Sequence, residues 1–99
     1  MKTVGEIRQT LRDIKVYYKR PKAFEEGAIF FGKPHPIVAT AKQYTELVEN
    51  APKRLREVYE SLYVQGNAQK VMAIDLQVTE KYIQILNKRL IVYLQGVVG

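Results

Sequence analysis

Four stretches of this chain repeat apolar residues at spacings of three and four, and prolines separate the first three of them. That pattern confines the chain to packed α-helices, because residues three and four apart share one helix face. In the first stretch, residues 4–20, the stripe is Val4, Ile7, Leu11, Ile14 and Tyr18. Thr3 and Glu6 have the spacing of a capping box, in which each satisfies a free backbone N–H of the other. Pro21 ends the stretch by steering its predecessor out of helical geometry. The face opposite the stripe carries Arg8, Arg12, Lys15 and Lys19.

A second helix is predicted from Pro36 or Ile37 to about Asn50, with Val38, Ala41, Tyr44, Leu47 and Val48 inward. Pro52 suits the first position of a third, KRLREVYESLYVQ, which buries Leu55, Val58, Tyr59 and Leu62. Gly66-Asn67 closes it. Between the first two helices lies a Phe/Pro-rich connector, residues 23–36. With Pro21 included it holds three prolines and two glycines, which argue against regular structure. Phe24, Ile29, Phe30 and Phe31 are too apolar for a free linker. They are expected to tuck into the bundle or to pair briefly as an extended segment.

The 99 residues suit a single domain spanning 1–99. There is no cysteine, which excludes disulfides and thiolate chemistry and suits a reducing cytoplasm. His35 is the lone histidine, so no metal site and no cofactor are expected. No apolar run approaches the roughly 20 residues of a membrane span, and Met1 opens onto polar residues, so a soluble, unprocessed protein is expected. The net charge of +6 is concentrated in residues 1–22, a basic amphipathic segment with seven Lys/Arg against Glu6 and Asp13. Such a balance fits a polyanion partner, most often nucleic acid. It fits a solvated surface equally well, and composition does not separate the two. A catalytic role is not expected, because there is no nucleophile–base pairing and no glycine-rich phosphate loop.

Residues 68–90, AQKVMAIDLQVTEKYIQILNKRL, carry the most specific pattern. Val71, Met72 and Leu76 give a short helix with one apolar face, and Ala73 lets a second helix cross closely. Gln77-Val78 makes a corner with Val78 inward. Thr79 is a good N-cap. Ile83, Leu86 and Leu90 then return to the core. Two helices joined by about three residues, with an alanine in the first and a cap on the second, form the pattern of a helix-turn-helix. The expected fold is therefore all-α, a small bundle of four to five helices with a C-terminal helix-turn-helix at 69–76 and 79–94.

The span from Leu55 to Leu90 resembles region four of bacterial sigma factors, a DNA-binding module also found in small phage and prophage regulators such as late-gene activators. The likeness lies in a Leu/Arg/Glu-rich helix, a short loop, and Val-Thr at the turn of the helix-turn-helix. Residues 1–50 match nothing of that kind, and residues 37–99 are taken as the module. Gln77 departs from the Gly, Asn or Asp common at the corner, which predicts some turn strain. Glu80 repels phosphate although it suits the helix dipole, and Ile85 stands where the family often has a polar residue.

What the resemblance implies is a sequence-specific regulator of transcription that binds double-stranded DNA with helix 79–94. On a helical wheel Lys81, Gln84, Ile85 and Lys88 oppose the Ile83–Leu86–Leu90 stripe. Lys81, Gln84 and Ile85 are the candidate base contacts, because Lys reads guanine, Gln reads adenine and an apolar side chain meets the thymine methyl. Lys70, Thr79, Lys88 and Arg89 are the candidate phosphate contacts, with Arg12 and Lys15 added from the basic first helix; Asn87 is read as surface or a further phosphate contact. The alternative is a protein-interaction module, either a small-terminase-like packaging component or a partner of RNA polymerase. The apolar LIVYL after Arg89 favours that second reading, since it must meet another segment or a second copy of the chain in a homo-oligomer.

Overall fold

The capping box at the start of the chain is formed in full. Thr3 Oγ1 accepts from the Glu6 N–H at 3.2 Å, and Glu6 Oε1 accepts from the Thr3 N–H at 3.1 Å. It opens α1, Val4–Lys19, in the computed structural model, which describes residues 2–33 and 35–98. Ile7, Leu11 and Ile14 of α1 are fully buried. Val4, expected on the same stripe, is exposed.

The residues read as an irregular connector are helical instead. Helix α2 spans Pro21–Phe31. Pro21 stops α1 and also starts α2, where its missing N–H costs nothing. Ala23, Glu25, Glu26 and Ala28 then supply helix propensity that outweighs one glycine. Gly32, at φ +76°, follows the last helical residue. Phe24 is half-buried between Tyr17 and the His35 ring, edge-on to both at 5.6 and 5.1 Å. The expected packing of Ile29, Phe30 and Phe31 lies outside the described residues, since only their backbone is described.

Helix α3 is Pro36–Val48, and His35 caps it by accepting the Ile37 N–H on Nδ1 at 3.0 Å. Helix α4 begins as Lys53–Val58 and continues as a π-helical segment, Tyr59–Val64. Gly66 at φ +73° ends it. Helix α5 is Gln69–Leu76 and α6 is Glu80–Val98. The described residues thus form six helices and no strand, one helix more than the upper expectation, and α2 is the addition.

Helix α6 is the pillar on which the bundle closes, with α1, α3, α4 and α5 all packed against it. Ile83, Leu86, Leu90, Ile91 and Leu94 are almost wholly buried along it. The LIVYL run is therefore covered mainly within one chain. Tyr93 adds a hydrogen bond from its hydroxyl to the Leu47 carbonyl at 2.8 Å, and Val92 alone of the five is left exposed, at 62%. A second polar tie crosses the core, where Thr45 Oγ1 lies 3.0 Å from the Tyr18 hydroxyl and 2.9 Å from the Tyr59 hydroxyl. These three side chains join α1, α3 and the π segment.

The corner between α5 and α6 is a Schellman turn. The Val78 N–H reaches the Ala73 carbonyl at 2.9 Å and the Gln77 N–H reaches Ile74 at 3.1 Å. Gln77 sits at φ 57°, ψ 42°, the left-handed region that L side chains enter only at a cost. Replacing Gln77 with glycine relieves a left-handed penalty of about 1–2 kcal/mol against glycine's entropic cost of about 0.5–1 kcal/mol, so a modest net stabilisation is expected, read as a higher urea midpoint at constant m-value.

Burial pushes the Tyr59 hydroxyl up to about 12 from 10.0, with the Thr45 hydrogen bond opposing. Only the unfolded chain then ionises this group between pH 10 and 12. The stability it contributes is whole below pH 10 and is lost as pH rises toward 12. Chemical denaturation across that range should show the decline, and Tyr59→Phe should make it shallower.

Candidate nucleic-acid interface

Two helix starts and one exposed helix face build the site. Thr79 ends the turn and caps α6, its Oγ1 accepting the Tyr82 N–H at 3.1 Å. The hydroxyl proposed from sequence as a phosphate contact is thus engaged as an acceptor and keeps its own proton to donate. Glu80 opens α6, where a carboxylate suits the helix dipole.

Beyond the cap, α6 divides into two faces. Ile83, Leu86 and Leu90 point into the core, while Lys81, Gln84, Ile85, Lys88 and Arg89 are exposed. Lys81, Ile85 and Lys88 fall at i, i+4 and i+7, so they form one outward row, and Gln84 flanks it. Ile85 is 40% exposed, an apolar group on an otherwise polar row. The row continues to Val92 one turn further on. Among the described residues no ion pair ties down these cations. Among the described residues the ion pair found is Arg54–Glu57 on α4, at 3.0 Å.

Asn87 corrects the sequence reading. It was read with Lys88 and Arg89 as surface or a phosphate contact, yet it is only 8% exposed. Its wheel position lies between the buried Ile83 and Ile91, and its Oδ1 accepts a hydrogen bond from the Tyr63 hydroxyl. Val71 is a second correction. It was placed on the inward face of α5 but is 44% exposed, because Met72 and Ala73 are the residues turned toward the core. Ile74 beside it is exposed to 67%.

The basic residues gather at a different place. Arg12 and Lys15 of α1, with Arg8, line a groove of about 260 Å³ against Leu62, Tyr63 and the start of α5 at Ala68 and Gln69. Lys70 is exposed at the second position of α5, beside that groove. Burial raises the Tyr63 hydroxyl above its usual range, while the Asn87 hydrogen bond and the nearby Arg8 and Arg12 charges oppose the shift. Lys81, Gln84 and Ile85 do not line the groove. The site residues expected from sequence therefore fall into an α6 row and an α1–α5 groove. Arg8 and Tyr63 were not singled out from sequence as site residues, and Asn87 was placed on the surface rather than against Tyr63. Arg8 shares the i, i+4, i+7 row of Arg12 and Lys15, the one signal that marks it. The Tyr63–Asn87 pairing has no local signal.

No protein-family model, curated protein or solved structure matches the chain.

The two faces of α6 should separate in mutational data. Ile83→Ala is expected to cost about 2–5 kcal/mol by opening a cavity in the core. Lys81→Ala and Gln84→Ala should each stay within about 0.5 kcal/mol of wild type, as surface changes do. Parallel urea titrations check both expectations.

Proposed function

We propose that this chain is a sequence-specific double-stranded DNA-binding regulator of transcription. In this reading α5 and α6 act as a helix-turn-helix of the sigma region-four kind, and α6 lies in the major groove. The observation that carries the reading is the exposed row of Lys81, Ile85 and Lys88, flanked by Gln84, in the first turns of a helix held from behind by Ile83, Leu86 and Leu90. Residues near the N-terminus of a recognition helix are the ones that reach base edges. Lys81 and Gln84 have the donors and acceptors to read guanine and adenine, and Ile85 offers an apolar contact for a thymine methyl.

Phosphate contacts are assigned to Lys70, Lys88 and Arg89, to the free proton of Thr79, and to Arg12 and Lys15. Such contacts position the protein without carrying sequence information. The origin we propose is a phage or prophage, in line with the small regulators in which this module sits behind an unrelated N-terminal segment.

A second reading is favoured by the exposed apolar residues Val71, Ile74 and Val92. They suit a protein partner, such as an RNA polymerase subunit, a packaging component of the small-terminase kind, or a second copy of the chain.

Selection of duplexes from a random library by wild type and by the Lys81→Ala/Gln84→Ala double variant separates the readings. The double variant is expected to fold normally and to lose about 1–3 kcal/mol of discrimination at the positions it no longer reads. Unchanged site preference and affinity in a folded double variant would remove the DNA-reading role of α6 and leave the interaction reading in its place.

A further inference from the structure

We propose that the groove between α1, the π segment of α4 and the first turn of α5 is a binding site for a single phosphate group. Four observations converge on it. Arg8, Arg12 and Lys15 stand one turn apart along α1 and line the groove, and no carboxylate lines it with them. Like charges at that spacing repel one another, and none of the three is ion-paired among the described residues. The Lys15 side chain runs beside the Gly66 turn, where an added Cβ would lie 3.9 Å from its Cε.

The second observation is the uncapped start of α5. Ala68 offers no side chain to its N–H groups, and the first backbone N–H of α5 to find a carbonyl is that of Val71. Among the described residues the Gln69 and Lys70 N–H groups find no acceptor, and Gln69 lines the groove with the three cations, the arrangement that favours an anion. Third, Asn87 is 8% exposed and lines the same groove. Its Oδ1 is occupied by Tyr63, whereas its amide nitrogen donates to no acceptor among the described residues. That N–H is open to the groove, where an oxyanion would accept it. Fourth, at about 260 Å³ the groove has room for a phosphate oxyanion.

The shared chemistry is a phosphate monoester or diester oxyanion, and it has two sources, a free phosphate or one phosphate of a DNA backbone. The free-phosphate arm is independent of the DNA reading, and the duplex arm rests on it. Inorganic phosphate is titrated into the full chain at constant ionic strength, followed by calorimetry and by the melting midpoint. Three variants keep the fold and divide the causes. Arg8→Gln removes a groove charge. Gln69→Pro removes a backbone donor at a helix position that tolerates proline, without changing the charge. Lys42→Gln removes an exposed charge on α3, outside the groove.

The expected result is saturable binding of phosphate, weakened about tenfold by Arg8→Gln, the scale of one charge-assisted contact. Gln69→Pro should also weaken it, and Lys42→Gln should not. In the duplex arm, Arg8→Gln should lower the slope of log K against log salt by about 0.9, one phosphate contact. Phosphate saturation without duplex binding would support the site and remove the DNA reading. A slope change and a Gln69→Pro loss in the duplex arm, without binding of free phosphate, would assign the site to a backbone phosphate. The site is overturned if neither arm responds, if Gln69→Pro binds as wild type in both, or if Lys42→Gln weakens binding as much as Arg8→Gln.

Discussion

The seating of α6 is the constraint on which the rest of the molecule depends. Five large apolar side chains, from Ile83 to Leu94, are buried along it, and four other helices reach it. Burying each such side chain is worth about 1.5–3 kcal/mol. The Arg54–Glu57 pair is half-exposed on its arginine side and belongs to a class worth at most about 1 kcal/mol. Apolar burial along one helix therefore decides the fold, and the charges are left free to serve the surface. The same support sets the orientation of the outward row of α6.

Polar groups inside the bundle are placed where they join elements distant in sequence. Tyr18, Thr45 and Tyr59 link α1, α3 and the π segment, and Tyr63 with Asn87 links that segment to α6. Burying such groups is tolerable only because each finds a partner. Tyr44 is the exception. Its hydroxyl is buried beside Thr10, but the Thr10 hydroxyl donates to the Glu6 carbonyl at 3.0 Å, and no well-formed bond reaches Tyr44. Gln77 is the corresponding exception in the backbone. The corner needs a left-handed residue, and the hydrogen bonds of the Schellman turn hold a glutamine there against its preference.

Much of this was legible from local chemistry. The capping box at Thr3 and Glu6, the boundaries of α5, the Thr79 cap and the strained corner at Gln77 each follow from residues within a few positions of one another. The split of α6 into a buried Ile83–Leu86–Leu90 face and an exposed Lys81–Ile85–Lys88 row follows from the helical repeat alone. Helix α2 was misread because proline and glycine were weighed as breakers, whereas Pro21 occupies the one helical position where it is welcome and Gly32 lies just past the end.

Sequence by itself thus determined the helical class, most helix ends and the two faces of α6, since those depend on periodicity and on caps that act over three or four residues. Only the tertiary structure decided that Asn87 is buried against Tyr63, that LIVYL is covered largely from within the chain, and that Arg8, Arg12 and Lys15 line one groove with the start of α5. The physical reason is distance along the chain. Tyr63 and Asn87 are 24 positions apart, and the α1 cations meet α5 only after three intervening helices have packed. No periodic pattern in one helix specifies which face of another it will meet.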